Sequence, residues 1–259
     1  MSNKPDITVT IICHAEGSFV VPALSSMADQ VATARAGGLT VETRAILDRP
    51  DPPTRHLVAT SGAWLDGVEE VMFGDLGLSR NAGARAAHGE FLAFLDGDDL
   101  WGANWLQLAH KAATAPSVLP EVIWHPQFLF YFTESDFDRH SPNCVPHSAA
   151  RAHYMEHSSS EDPGFRRETM FLNNVWSANV FAARSLHERY PYSAVDRAKG
   201  FGIEDWAWHM ETLWAGVAHN VVADTVHMIR LKDTGSLAQQ NTVEGLLPPL
   251  PSPRCDLPT

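Results

Sequence analysis

The chain has 259 residues, 44% of them hydrophobic, and a formal net charge of −12. That length and apolar content suffice for one large α/β domain or two small ones, and the acidic balance excludes a general binder of nucleic acid or anionic membrane, since both need basic surface. Cys13, Cys144 and Cys255 are too scattered for a metal-ligand pattern or a disulfide framework, which predicts a reducing compartment, the cytoplasm.

The N-terminus, MSNKPDITVTIICHAEG, has no long apolar region followed by a small-residue cleavage site, so it predicts a first strand, Ile7 to Cys13, rather than a leader. Phe19 to Ala36 carries apolar residues at helical spacing and stops at Gly37 and Gly38. Thr40 to Leu47 alternates as a second strand ending at Asp48, and Arg49 to Pro53 is a proline-rich turn. A loosely defined helix follows over Arg55 to Leu65, then a short strand, Val68 to Phe73. Ser79 is placed to cap a helix that runs to His88 and ends at Gly89. The next strand, Glu90 to Leu95, ends in Asp96, Gly97, Asp98 and Asp99. Three carboxylates within four residues repel one another, and a hard divalent cation with its preference for oxygen ligands relieves that repulsion. Strands alternating with helices imply parallel pairing and a ligand site beyond the carboxyl ends of the strands, where Cys13, Asp48 and Asp96 fall.

The second half is less regular. Asn104 to Ala115 reads as a helix, Glu121 to Phe132 as an aromatic strand, and Thr133 to Arg167 as a polar insertion holding His140, His147, His153 and His157 without zinc-ligand spacing. Val175 to Ala182 reads as a strand, Ser185 to Tyr190 as a helical turn, Ile203 to Trp214 as a helix closed by Gly216, and Val217 to Arg230 as β structure. Leu247 to Thr259 contains five prolines and is expected to be loose or draped over the surface. No stretch approaches the roughly 18 apolar residues of a membrane span.

Four features coincide: a strand-ending Asp48, the helix start at Arg80, Asn81 and Gly83, the acidic strand end Asp96 to Asp99, and Glu204-Asp205-Trp206 further on. The pattern resembles the family 2 glycosyltransferases, over roughly residues 6 to 240. It is specific in Leu78 to Trp101 and Gly202 to Trp206 and loose between them. The resemblance implies a GT-A fold, a Rossmann-like, mostly parallel α/β sheet flanked by helices. It also implies transfer of a sugar from a nucleotide-sugar with inversion, aided by Mn2+ or Mg2+. The likeness departs at Cys13-His14-Ala15-Glu16, where the family commonly has a proline–threonine/serine–tyrosine–asparagine run, and at Asp48, here followed by Arg49 and prolines.

The resemblance implies the following roles. Asp98 is the direct metal ligand, with Asp99 and His227 beside it, and imidazole suits Mn2+ better than Mg2+. Asp96 contacts the ribose or a water on the metal, and Gly97 lets the backbone approach closely. His14, Glu16 and Asp48 lie where the family meets the base, and Asp48 would accept from an imide N–H. Arg80 meets the base or holds the acidic loop, and the free N–H groups of a helix start at Arg80 and Asn81 favour anions. Arg230 and Lys232 neutralise phosphate charge, and Asp233 to Leu237 forms a lid. Asp205 is the general base and Glu204 orients the acceptor or the helix start, although acidic residues also favour any first helical turn. Trp176, Asn179 and Trp206 fall where sugars are contacted.

The expected organisation is one domain over residues 1–240, with a nucleotide-binding half to 101, an acceptor-binding half from 102 with an insertion at about 133–170, and a tail over 241–259. The expected partners are a nucleotide-sugar donor, UDP-linked in preference, and a saccharide, lipid-linked or small-molecule acceptor. A cytoplasmic location is compatible with peripheral contact at a membrane. A nucleotidyltransferase on a related scaffold is the alternative activity, but the chain has no glycine-rich, lysine-containing loop after its first strand. A non-catalytic carbohydrate- or nucleotide-binding module would tolerate loss of the acidic motif or the base, and both are present.

Overall fold

The alternation in ITVTIIC decides the centre of the molecule. In strand β1 (Ile7–Cys13) the odd positions Ile7, Val9, Ile11 and Cys13 enter one hydrophobic cluster, while Ile12 enters a second cluster on the opposite face. Burial on both faces marks a central strand of an α/β sheet. The computed structural model describes residues 4–116, 121–133, 153–232, 240–241 and 243–251. Among these, nine strands form one sheet in the order 3-2-1-4-8-6-9-5, with β7 beside β6.

The first four strands, β1, β2 (Val41–Asp48), β3 (Gly67–Val71) and β4 (Phe91–Asp96), pair in parallel, as the helix–strand alternation predicts. Helix α1 (Val20–Ala36) buries Val20, Ala23, Leu24, Met27, Val31 and Ala34, a single helical stripe, against the first cluster. Helix α2 (Pro52–Ser61) begins earlier than its weak periodicity suggests. Asp51 caps it by accepting from Thr54 N, and Pro52 and Pro53 fill its first turn, where the missing N–H groups cost nothing. Helix α3 (Leu76–Ala86) lies on the other face. Its Gly83 sits so close to Phe94 that an added Cβ would stand 3.0 Å from the ring.

The second half antiparallels this sheet and then extends it. Strand β8 (Phe181–Ala183) pairs antiparallel with both β4 and β6 (Val122–Thr133), and β9 (Ala218–Leu231) runs parallel to β6 over eleven paired positions. Strand β5 (Leu100–Trp101) is held by β9, and β7 (His153–Glu156) lies antiparallel along β6. Part of the supposed polar insertion is therefore a sheet strand; its stretch 134–152, with His140 and His147, lies outside the described residues. Helices α4 (Trp105–Ala113), α5 (Arg184–Arg189) and α6 (Glu204–Trp214) complete the layers. The beginning of the tail is anchored, since Gly202 N donates to Leu247 O and Leu247 N to Gly200 O. Among the described residues no helix is long and apolar enough to cross a membrane.

The core holds histidines from several elements. His125 Nε2 lies 2.9 Å from His219 Nδ1, and His219 Nε2 lies 3.0 Å from Thr212 Oγ1. His157 Nδ1 faces Pro126 O at 2.7 Å, while His187 stacks on Trp208 with no hydrogen-bond partner on either nitrogen. Burial lowers the pKa of all of these and of His209: to about 4 for His157 and about 3 for His187 and His219. The unfolded chain binds these protons near pH 6.5 and the native state does not, so stability is full above that pH and falls as pH drops below it. At pH 5.5 each histidine removes about 1 kcal/mol, and the melting temperature should fall by about 10 °C or more from its value at pH 7.5. His187→Phe should raise the melting point by removing an unpaired buried polar ring, and should flatten the pH slope. Calorimetry at both pH values checks this; equal slopes for the two proteins would contradict it.

Candidate active site

The carboxyl ends of β1, β2 and β4 lie side by side, and the start of α6 comes up to the carboxyl end of β4 through Arg80. Arg80, from the second turn of α3, is the hinge of the site. It is 1% exposed, and its Nη1 and Nη2 donate to Asp96 Oδ1 and Oδ2 at 3.0 and 3.1 Å. Its Nη2 also lies 3.6 Å from Glu204 Oε1, and its guanidinium stands 5.9 Å from the centre of the Tyr192 ring. One cation thus ties the acidic strand end to the acidic helix start. Asn81 beside it exchanges two hydrogen bonds with the Tyr192 main chain, 111 positions away.

These positions correct the helix start. The cap is Asp75, whose Oδ1 accepts from Leu78 N, so Arg80 and Asn81 lie inside the helix and offer no free N–H groups to an anion. Ser79 is buried, and its hydroxyl donates to Asp48 Oδ2. Asp48 also accepts from Gly74 N and Asp75 N. Its carboxylate, with three donors from Gly74, Asp75 and Ser79, braces the entry to α3. Asn81 likewise spends its amide on Tyr192 rather than on a donor.

The acidic turn is tightly built. Gly97 N donates to Ile12 O at 2.8 Å, and a Cβ there would stand 3.0 Å from that same oxygen. Asp99 Oδ1 accepts from Arg230 N, and its Oδ2 lies 3.2 Å from His227 Nε2. Asp98 Oδ2 pairs with Lys232 Nζ at 2.5 Å. The Arg230 guanidinium lies 4.5 and 4.7 Å from the centres of the Phe19 and Phe132 rings and donates through Nε to Asp98 O. His14 is exposed; its Nδ1 lies 2.5 Å from Asp48 O, and its N–H donates to Glu16 Oε2. Burial, reinforced by the Asp98 charge, holds Glu16 at about 7.

Among the described residues no three histidine, cysteine, aspartate or glutamate side chains are grouped as a ready ligand set, and Asp98 is paired with Lys232. The donor chemistry nevertheless fits a divalent cation. Carboxylates crowd one turn, and the buried His227 ring turns Nε2 toward Asp99 Oδ2 while its Nδ1 has no hydrogen-bond partner.

At the other wall, Ile203 takes φ 61°, a left-handed conformation rare for a β-branched residue, and turns the chain into α6. Glu204 is buried against Arg80; burial first and Asp205 next push it up to about 8. Asp205 is half-buried and also raised by burial, with Arg80 opposing. Its Oδ2 accepts from Asn174 Nδ2 at 3.0 Å. Sequence reasoning missed Asn174, which sits in an irregular segment with no periodic signal. Trp176 and Asn179 are internal: Trp176 stacks on His219 at 4.2 Å, and Asn179 Oδ1 accepts from Trp101 Nε1. Trp206 is half-buried and donates to Met170 O.

Known proteins place this architecture. No curated protein sequence matches the chain. Among solved structures, S. aureus TarS residues 1–349 with UDP-GlcNAc is similar at 15% identity and a TM-score of 0.57, covering 89% of this chain and 60% of that one. The mannosyltransferase PcManGT from Pyrobaculum calidifontis, with GDP-Man and Mn2+, is similar at 17% identity and TM-score 0.58, covering 94% and 64%. Glucosyl-3-phosphoglycerate synthase from Mycobacterium tuberculosis, with Mn2+, UDP and phosphoglyceric acid, is similar at 12% and 0.55, covering 93% and 75%. The chain thus spans about three fifths of the length of the TarS fragment, and the shared fold is GT-A. The family model described as glycosyl transferase family 2 matches residues 8–159, more than half of the sequence, and the chain belongs to that family.

Proposed function

We propose that the chain moves a glycosyl group from a nucleotide-sugar to an acceptor hydroxyl, with inversion at the anomeric carbon. The observation that carries this reading is Arg80, which ties the Asp96–Asp99 turn to the Glu204–Asp205 helix start. A donor diphosphate belongs against the acidic turn and an acceptor against Asp205. Asp205 takes the hydroxyl proton as the oxygen bonds to the anomeric carbon, and the bond to the diphosphate breaks, releasing the nucleoside diphosphate. Glu204 faces Arg80 and keeps the helix start in place.

Asp98, Asp99 and His227 would hold Mn2+ or Mg2+, which when bound supplies positive charge to the leaving diphosphate. Lys232, now on Asp98, supplies a further cation at the same place. A UDP-sugar is the proposed donor, as TarS and the M. tuberculosis enzyme hold UDP or UDP-GlcNAc. His14, just past the carboxyl end of β1, is an exposed side chain proposed to meet a base.

A melting-point panel of UDP and GDP with and without Mn2+ tests the donor reading. UDP with Mn2+ at a hundred times its Kd should add about 2–3 kcal/mol. Asp98→Ala should remove the Mn2+-dependent part of that gain. Failure of every nucleotide to shift the melt would sink the transferase reading.

A further inference from the structure

We infer that Asn174 is a positioning residue for Asp205, held in one orientation by His209. The inference rests on the proposal that Asp205 is the base. Asn174 Nδ2 donates to Asp205 Oδ2 at 3.0 Å, and Asn174 Oδ1 lies 3.1 Å from His209 Nδ1. A carboxylate only accepts, so the amide must turn its NH2 toward Asp205 and its oxygen toward His209. His209 must then carry its proton on Nδ1, which leaves Nε2 bare. Nε2 is buried and has no hydrogen-bond partner, consistent with that tautomer.

The ring cannot swing to an alternative. It is fully buried, edge-on to Trp176 and His125 with centroids 5.7 and 5.3 Å away, and edge-on to His219 at 5.6 Å. Burial and the neighbouring imidazoles keep it neutral. The line from His209 through Asn174 therefore brings no charge to Asp205. It brings direction: one lone pair of Oδ2 is fixed and the other oxygen remains for the acceptor. It also favours the ionised carboxylate against the burial that disfavours it.

The other groups acting on Asp205 are Glu204 beside it, Arg80 from α3, Asp96 from β4, Tyr131 from β6 and Tyr192 from the segment after α5. The side-chain hydrogen bonds of Asn174 run to Asp205 and His209, not to any of these groups. The test uses the full chain carrying 13C-carboxyl aspartate, with the Asp205 resonance identified by its loss in Asp205→Asn. Spectra from pH 8.5 to 5.5 at low temperature follow its protonation. In Asn174→Ala, and more strongly in the isosteric Asn174→Asp, protonation should move up by about one pH unit or more. Release of UDP from UDP-GlcNAc in water should fall about tenfold in kcat with KM unchanged. Titration curves that coincide with wild type in both variants would overturn the inference. An Asp205→Asn protein that still releases UDP would instead remove the base reading and leave the Asn174 coupling to stand or fall on the spectra.

Discussion

Asp205→Asn should lower turnover by about a hundred- to ten-thousandfold, the range expected when a positioned general base is lost. The substitution keeps the shape of the side chain and removes only its capacity to take a proton. Nucleotide binding at the acidic turn should remain near wild type, because Asp205 does not belong to that turn. Glu204→Gln provides the contrast. Burial and the neighbouring Asp205 raise Glu204 above the ordinary carboxylate range, and its side chain is turned to Arg80, so Gln there keeps the shape of a group whose part is to hold the helix start. Its turnover should stay within about tenfold of wild type. Steady-state kinetics with product detection decide between the two carboxyl groups: if Glu204→Gln proves the more damaging, the assignments are reversed.

Arg80→Met should be the most destabilising single change in the site. The guanidinium balances Asp96 through two hydrogen bonds and stands within ion-pair distance of Glu204. Removing one partner of a buried pair strands the other, at a cost of about 3–5 kcal/mol, against a total stability of about 5–15 kcal/mol. Arg80→Lys should recover little, since an ammonium cannot form the paired fork to Asp96. Urea denaturation of the three proteins reads this directly. A loss below about 1 kcal/mol for Arg80→Met would show that the ion pairs contribute no more than a surface bridge.

The first hundred residues were legible because their signals are local. Alternation located β1 and β2, helical spacing located α1, and three carboxylates within four residues marked the end of β4 as the candidate site. The misplaced start of α3 shows the limit of that logic. Ser79 and Asp75 are both acceptable caps, and only the fold reveals that the serine hydroxyl serves Asp48. In the second half the decisive contacts have no local spacing. Trp176 reads equally well as a sugar platform or as core until His219 and His125 are seen stacked on it. The buried histidines come from β6, the segment after β7, α5, α6 and β9, so no pattern in the sequence could assemble them. Asn174 is unremarkable by sequence and gains meaning only from Asp205 and His209 on either side.

The long parallel pairing of β6 with β9 also governs when the folded chain becomes whole. Its partners lie roughly a hundred residues apart, and such pairings close slowly. Asp99 waits longer still, since the main-chain donor it accepts from is 131 positions downstream. The acidic turn is therefore synthesised early but remains unbraced until β9 docks. Until then β6 exposes the strand edge that β9 will occupy, an invitation to pair with another chain. Shortened versions ending before Ala218 should consequently aggregate as they are made, and a chaperone that shields sheet edges should raise the yield of active protein.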